Sequence, residues 1–266
     1  MYGARSFFDL TGFPYAEVFA DAEYAWNVLD ILKKYVDDHA AALPVMETAG
    51  NGVPLSEPFV LYEGSAVPAG ECEIIYGDTA KGGLKVYFRQ ELLAGASLVM
   101  AGVTLLGRRI TFGRGVLVES GALVKEPAII GDHTEIRHGA YLRGYCLVGN
   151  RCVVGHTTEV KHSIFLNDAK AGHFAYIGDS VLGGDTNLGA GTKMANLRFL
   201  KGEIQVKTAA GLLNTGLKKF GAILGDRVQT GCNSVTNPGT VMGRDSVLMP
   251  NTTAPSGYHP PGSMIR

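Results

Sequence analysis

Two residue pairs stand at a spacing that could do chemistry. Arg143 and Lys161 are eighteen positions apart, and so are His138 and His156. Arg143 and Lys161 each directly follow a large apolar residue, Leu142 and Val160. If the chain returns on itself every eighteen residues, the two cations lie one above the other at about the 4.8 Å strand spacing. Stacked cations repel unless an anion sits between or beside them, and a phosphate is a natural occupant. The plainer alternative is a solvated face on which carboxylates such as Glu159 supply the counter-charge. The stacked histidines could ligate a metal, but a catalytic zinc site needs three good ligands and an open position. No third ligand stands out, so surface histidines are the simpler reading and no metal is expected. His173, in "KAGHFAY" with Tyr176 close behind, is a third candidate. Imidazole has the intrinsic pKa for general-base work near neutrality.

The eighteen-residue return is written into the chain. Every sixth residue from Leu106 to Leu166 is large and apolar, through Phe112, Val118, Val124, Ile130, Ile136, Leu142, Val148, Val154 and Val160. Four positions after each comes a small or β-branched residue, including Ala122, Thr134, Cys146 and Cys152. A period of six fits neither an amphipathic helix nor an exposed strand. It fits a hexapeptide β-helix, in which three hexads close one triangular coil. The large residue points inward and the small one fills the narrow corner. The expected fold is therefore mainly β, a left-handed parallel β-helix with a small N-terminal α/β segment. The register slips after Gly172, which puts His173 at an irregularity and leaves His156 and His162 as surface groups of regular hexads. It breaks again after Met194 and resumes at Leu224, leaving an inserted loop at about 197–222 in which "EIQVK" can form a strand.

Residues 91–266 are thus read as the β-helix domain and 1–90 as a helix plus short strands. The helix is placed from about Ala16 to Leu43, on the spacing of Trp26, Leu29, Leu32, Tyr35 and Val36, with Asp21 as N-cap and Pro44 as terminator. The segments "FVLYEG", "CEIIYGD" and "LKVYFR" read as strands, the last two joined by a hairpin turn at "TAKGG". A formal net charge of −1 argues against a nucleic-acid partner. No apolar run is long enough to span a bilayer, no signal peptide is visible, and four cysteines without a C-x-x-C pair fit a cytoplasmic, reduced protein.

The run from "GNRCVVGH" to "KMANLR" resembles the acetyltransferase half of bifunctional N-acetylglucosamine-1-phosphate uridyltransferase. It is more similar still to archaeal-type bifunctional sugar-1-phosphate nucleotidylyltransferase/acetyltransferases. The motifs "EVK", "KAGHFAYIGD", "NLGAGT" and "ANLRF" and the "KKFGAILGD" restart carry the resemblance over about residues 130–250. It implies transfer of an acetyl group from acetyl-CoA to the amine of an amino-sugar 1-phosphate. On that resemblance His173 matches the catalytic base and Asn196 the asparagine that orients it and approaches the acetyl group. Arg143 and Lys161 match the cations that hold the sugar phosphate, Tyr176 and Asn187 match substrate contacts, and Lys218 or Lys219 stands in for a further substrate lysine. Ala190 and Cys232 fall at acetyl-CoA contacts. Members of the family are usually trimers with sites between neighbouring β-helices, so a homotrimer is expected. The chain departs from the pattern in three ways, one being a short C-terminal tail with no arginine matched to the family's coenzyme phosphate contact. It has no glycine-rich nucleotidylyltransferase loop, and Leu197 stands where bacterial members have an aromatic residue. The alternative implied by these departures is a non-catalytic β-helix that binds a sugar phosphate or nucleotide sugar beside a separate nucleotidylyltransferase.

Overall fold

The computed structural model describes residues 2–43 and 51–266. From Ser97 onward the chain winds into about nine coils of a parallel β-helix of the left-handed hexapeptide class. Each coil contributes one short strand to each of three sheets, here called faces one, two and three in the order the chain visits them. Face one begins with Ser97–Val99, face two with Thr104–Leu106 and face three with Ile110–Phe112. The register is parallel throughout: Ile136 pairs with Val154, Leu142 with Val160, and Ala128 with Cys146. Val118, Val124, Ile130, Ile136, Leu142, Val148, Val154 and Val160 all lie in one continuous inner core, fully buried, with Ala122, Cys146 and Cys152 beside them.

Three corners per coil demand sharp turns, and many of these place one residue at positive φ. Most side chains avoid that region, and glycine, Asn, Asp or His takes many of these positions, as at Gly121 at 80°, Gly139 at 72°, His133 at 54°, Asp185 at 56° and Asn233 at 56°, although Arg151, Thr157 and Phe174 adopt it too. At the corner between faces three and one a carboxylate or amide from each coil accepts a backbone N–H of its neighbour. Asp132 Oδ1 takes Arg114 N at 2.8 Å, Asn150 takes Asp132 N at 2.8 Å and Asn167 takes Asn150 N at 2.9 Å. These side chains satisfy N–H groups at a corner where the sheet ladder is interrupted.

The hexad register departs from the sequence expectation at both ends of the regular run. Leu105, not Leu106, points inward and pairs with Val124, because an extra residue lies between it and Phe112. At the other end Phe165 replaces Leu166 in the core, since Val148 pairs with Phe165. The slip therefore falls between Val160 and Phe165, upstream of Gly172, and recurs one coil later between Ile177 and Leu182. Both five-residue steps turn the corner between faces two and three.

Leu166 faces outward into a second core. Face three is apolar on both sides: Ile129, Leu147, Ile164, Val181, Ile223 and Val241 point out and are covered by the N-terminal segment. That segment runs the length of the coil. Phe7 O accepts from Asp226 N and Arg244 Nε near the C-terminal coils, and Leu43 N donates to Arg108 O near the first. Trp26, Leu29, Leu32, Tyr35 and Val36 are buried there, as their spacing suggested. The helix itself is shorter than expected. It spans Val28–His39, preceded by 3-10 turns at Ala16–Phe19 and Ala25–Asn27, with Asn27 rather than Asp21 at its N-cap. Pro44 lies outside the described residues.

Strand Phe59–Tyr62 pairs antiparallel with Ser97–Val99 and covers the first edge of face one. Cys72–Ile75 and Lys85–Phe88 form the expected hairpin, which packs through Val86 and Leu84 on Leu98 and Leu117. Past Met194 the chain leaves the coil as an arm containing the hairpin Gln205–Thr208 and Gly211–Asn214, and it re-enters at Ala222. Ile204, Val206 and Phe220 root the arm in the second core. Among the described residues no helix is long and apolar enough to cross a membrane.

Candidate functional site

The corner between faces two and three carries a buried charge cluster. Its two shortened turns hold His162 and Asp179, at φ 46° and 47°. The register stacks them, with Asn196 on the next coil at the point where the arm departs. Asp179 accepts from His162 Nδ1 at 2.7 Å, from Lys161 Nζ at 2.9 Å and from Asn196 Nδ2. Burial alone would raise the Asp179 pKa. The hydrogen bonds from His162, Lys161 and Asn196 outweigh it and hold the carboxyl down to about 2. Because an ionised carboxylate only accepts, it fixes the Asn196 amide with Nδ2 inward. Asn196 Oδ1 is then left to accept from the Tyr176 hydroxyl at 3.4 Å. His162 is not a surface group: it is 9% exposed, and its Nε2 has no partner. The five-residue step turns it inward, beneath the N-terminal helix.

The corner between faces one and two carries the other predicted residues. Register places Ser120, His138, His156, His173, Ala190 and Cys232 in one column. The His138 and His156 rings stack at 5.5 Å and 15°. Each gives Nδ1 to the carbonyl one coil away, Ser120 O at 2.6 Å and His138 O at 2.9 Å. His173 breaks this pattern. Its coil is one residue shorter, and among the described residues the exposed His173 ring has no hydrogen-bond partner. In the next coil Gly189, Gly191 and Thr192 spend their N–H groups on the coil, Gly191 on His173 O at 3.0 Å. The N–H groups of Ala190 and Cys232 have no acceptor among the described residues.

Face two joins these corners, with Tyr176 outward between them. Arg143 and Lys161 do stack, but each already holds a carboxylate: Arg143 pairs with Glu159 at 2.7 Å and Lys161 with Asp179 at 2.9 Å. Asn187 lies on face one, outward in the coil after Lys170. Lys218 and Lys219 are exposed on the arm just before it re-enters the coil, where Phe220 N donates to Asn196 O at 3.0 Å. Within one chain, then, His173, Ala190 and Cys232 share one corner, and Lys161 and Asn196 share the other. Cys146 and Cys152 are sealed in the core, where burial pushes both thiols up to about 12, so neither is a nucleophile at neutral pH.

Sequence reasoning missed Asp179 and His162 as members of the site. The signal was present in the spacing from Val160 to Phe165, which is five residues and not six. A register kept at six through Leu166 hid it.

Residues 124–253 match the family described as the GMPPB C-terminal domain. The β-helix is also similar to the bifunctional sugar-1-phosphate nucleotidylyltransferase/acetyltransferase of Sulfurisphaera tokodaii, 38% identical over 87 residues, which is 33% of this chain and 22% of that protein. The bifunctional protein GlmU of Methanococcus vannielii is 38% identical over 88 residues, 33% of this chain and 21% of the relative. GlmU of a Synechococcus strain is 32% identical over 96 residues, 36% and 13% respectively. The chain thus spans about a fifth of the length of the first two curated relatives it matches. These similarities are to about a fifth of each of the first two relatives, bifunctional proteins of the GlmU type.

Proposed function

We propose that this β-helix transfers an acetyl group from acetyl-CoA to the amine of an amino-sugar 1-phosphate. The observation that carries the reading is the His173 column, where an unbonded imidazole sits one coil from the unpaired N–H of Ala190. The amine attacks the thioester carbonyl and a C–N bond forms. His173 takes the proton released by the attacking nitrogen. The oxyanion accepts from a backbone N–H, for which Ala190 is the free donor in the "GAGT" turn. Collapse breaks the C–S bond, and the departing thiolate recovers the proton from His173. No covalent acyl-enzyme is needed. Arg143 and Lys161 supply cationic charge for the sugar phosphate on face two, with Tyr176 and Asn187 as further contacts. Asn196 presents its Oδ1 as an acceptor for an N–H group.

His173 and Asn196 lie at opposite edges of face two. A site that uses both corners at once is built between neighbouring copies, which supports a homotrimer. Face three is closed by the N-terminal segment, so the contacts fall on faces one and two.

A second reading has its own support. Lys161 pairs with Asp179 and Arg143 with Glu159, which offsets the charge a substrate phosphate would meet and favours a non-catalytic β-helix that assembles with a separate nucleotidylyltransferase. Thiol release from acetyl-CoA, measured with glucosamine 1-phosphate and galactosamine 1-phosphate, separates the two. Transfer by the wild type and none by His173→Ala supports the first. No release with any amino-sugar phosphate sinks it, and unchanged release by His173→Ala removes that residue as the base.

A further inference from the structure

On the coil several cations, among them Arg143, Arg151, Lys161, Arg227 and Arg244, each lie against a carboxylate. The arm is different. Residues 197–221 carry five cations, Arg198, Lys201, Lys207, Lys218 and Lys219, against one carboxylate, Glu203. Among the described residues none of the five lies within 4.0 Å of a carboxylate. Glu203 is engaged elsewhere, accepting from Asn214 Nδ2 at 2.6 Å. Leu197, Phe199 and Leu200 are exposed, Phe199 completely. Together with Arg198, Lys201 and Lys218 they line an open hollow of about 480 Å³.

Arg198 donates to the Glu203 carbonyl at 2.8 Å, but no carboxylate neutralises the rim, and an apolar hollow with a free aromatic face and such a cationic rim suits a ligand with a flat π ring at one end and several phosphate oxygens at the other. We propose that the arm is a binding site for a nucleoside diphosphate group, with the base against Phe199 and the phosphates on Arg198, Lys201 and Lys218. Orthophosphate or a bare sugar phosphate could use the cations but not the aromatic face. Such a group forms one end of coenzyme A and also one end of a nucleotide-activated sugar. The arm leaves the coil directly after Asn196, so either ligand held there extends back toward face two. The site is defined by binding alone and does not depend on the transfer reaction.

Calorimetric titration of the full chain with ADP, UDP, coenzyme A, a UDP-hexosamine and pyrophosphate tests this. The nucleoside diphosphates should bind about tenfold tighter than pyrophosphate, the scale of one base–aromatic stack. Phe199→Ala should erase that preference and leave pyrophosphate binding intact. The triple variant R198Q/K201Q/K218Q should weaken every ligand and flatten the salt dependence. These side chains are exposed, so circular dichroism should show the variants folded. His173→Ala should bind as the wild type does, even if no transfer activity is ever found. Tighter binding of coenzyme A than of the UDP-hexosamine assigns the site to the acetyl donor, and the reverse assigns it to a nucleotide-activated sugar. The proposal is overturned if no nucleotide binds, if pyrophosphate matches the nucleotides in both wild type and Phe199→Ala, or if the triple variant binds normally. It is equally overturned if the arm binds phosphatidylserine vesicles and ADP neither binds nor competes.

Discussion

Replacing Asp179 by Asn keeps the shape of the side chain and removes its charge. Asp179 is 3% exposed and serves three donors, so the loss is not screened by solvent. Its pKa falls from 3.8 to about 2 in the folded chain. A shift of that size corresponds to roughly 2 kcal/mol of folding free energy at neutral pH. The sign follows from the depressed value. The contribution is fully present above the unfolded pKa, falls to about half near pH 3 and vanishes below the folded pKa. The variant should therefore be less stable than the wild type by roughly 2 kcal/mol at pH 7, or about 4–8 °C in Tm by the scaling for a chain of this size. Paired thermal melts at pH 7, 5, 4 and 3 measure the difference, which should be flat from 7 to 5 and shrink toward 3. A difference under about 0.5 kcal/mol at pH 7, or one that does not change with pH, would refute the account of the corner as a carboxylate-centred clamp.

Three further outcomes are expected. In the native protein a thiol reagent should label exposed Cys232 quickly, while Cys146 and Cys152 react only after denaturation, as mass mapping of the modified peptides would show. Trp26→Ala should cost about 3–5 kcal/mol, because the ring is fully buried between the N-terminal segment and Phe220, and urea unfolding should report it. His156→Ala should leave any acetyl transfer within about twofold of wild type and cost about 1 kcal/mol, since its ring makes one exposed hydrogen bond, to His138 O, and packs at the surface on His138 and Phe174. The same assay that finds His173→Ala inactive should find this variant active.

The coil was legible because its cause is local. A hexad needs one large inward residue and one small corner residue, and both are written every six positions from Val118 to Val160. The stacking of Arg143 on Lys161 and of His138 on His156 follows from the same arithmetic, and the register bears it out. The "EIQVK" strand and the hairpin around "TAKGG" were legible from alternation and turn residues.

What the sequence left open depended on contacts between distant segments. The choice of Phe165 over Leu166 as the core residue was settled by a second apolar surface, the N-terminal segment, which took Leu166 for its own core. That one-residue step carried His162 from the surface to the interior and brought Asp179 under it. The partners of the two stacked cations were likewise tertiary: Glu159 and Asp179 reach Arg143 and Lys161 from neighbouring coils. Periodicity fixes which residues point out, because side-chain direction is set by the backbone repeat. Whether an outward charge meets solvent, a phosphate or a carboxylate is decided by what the fold places above it.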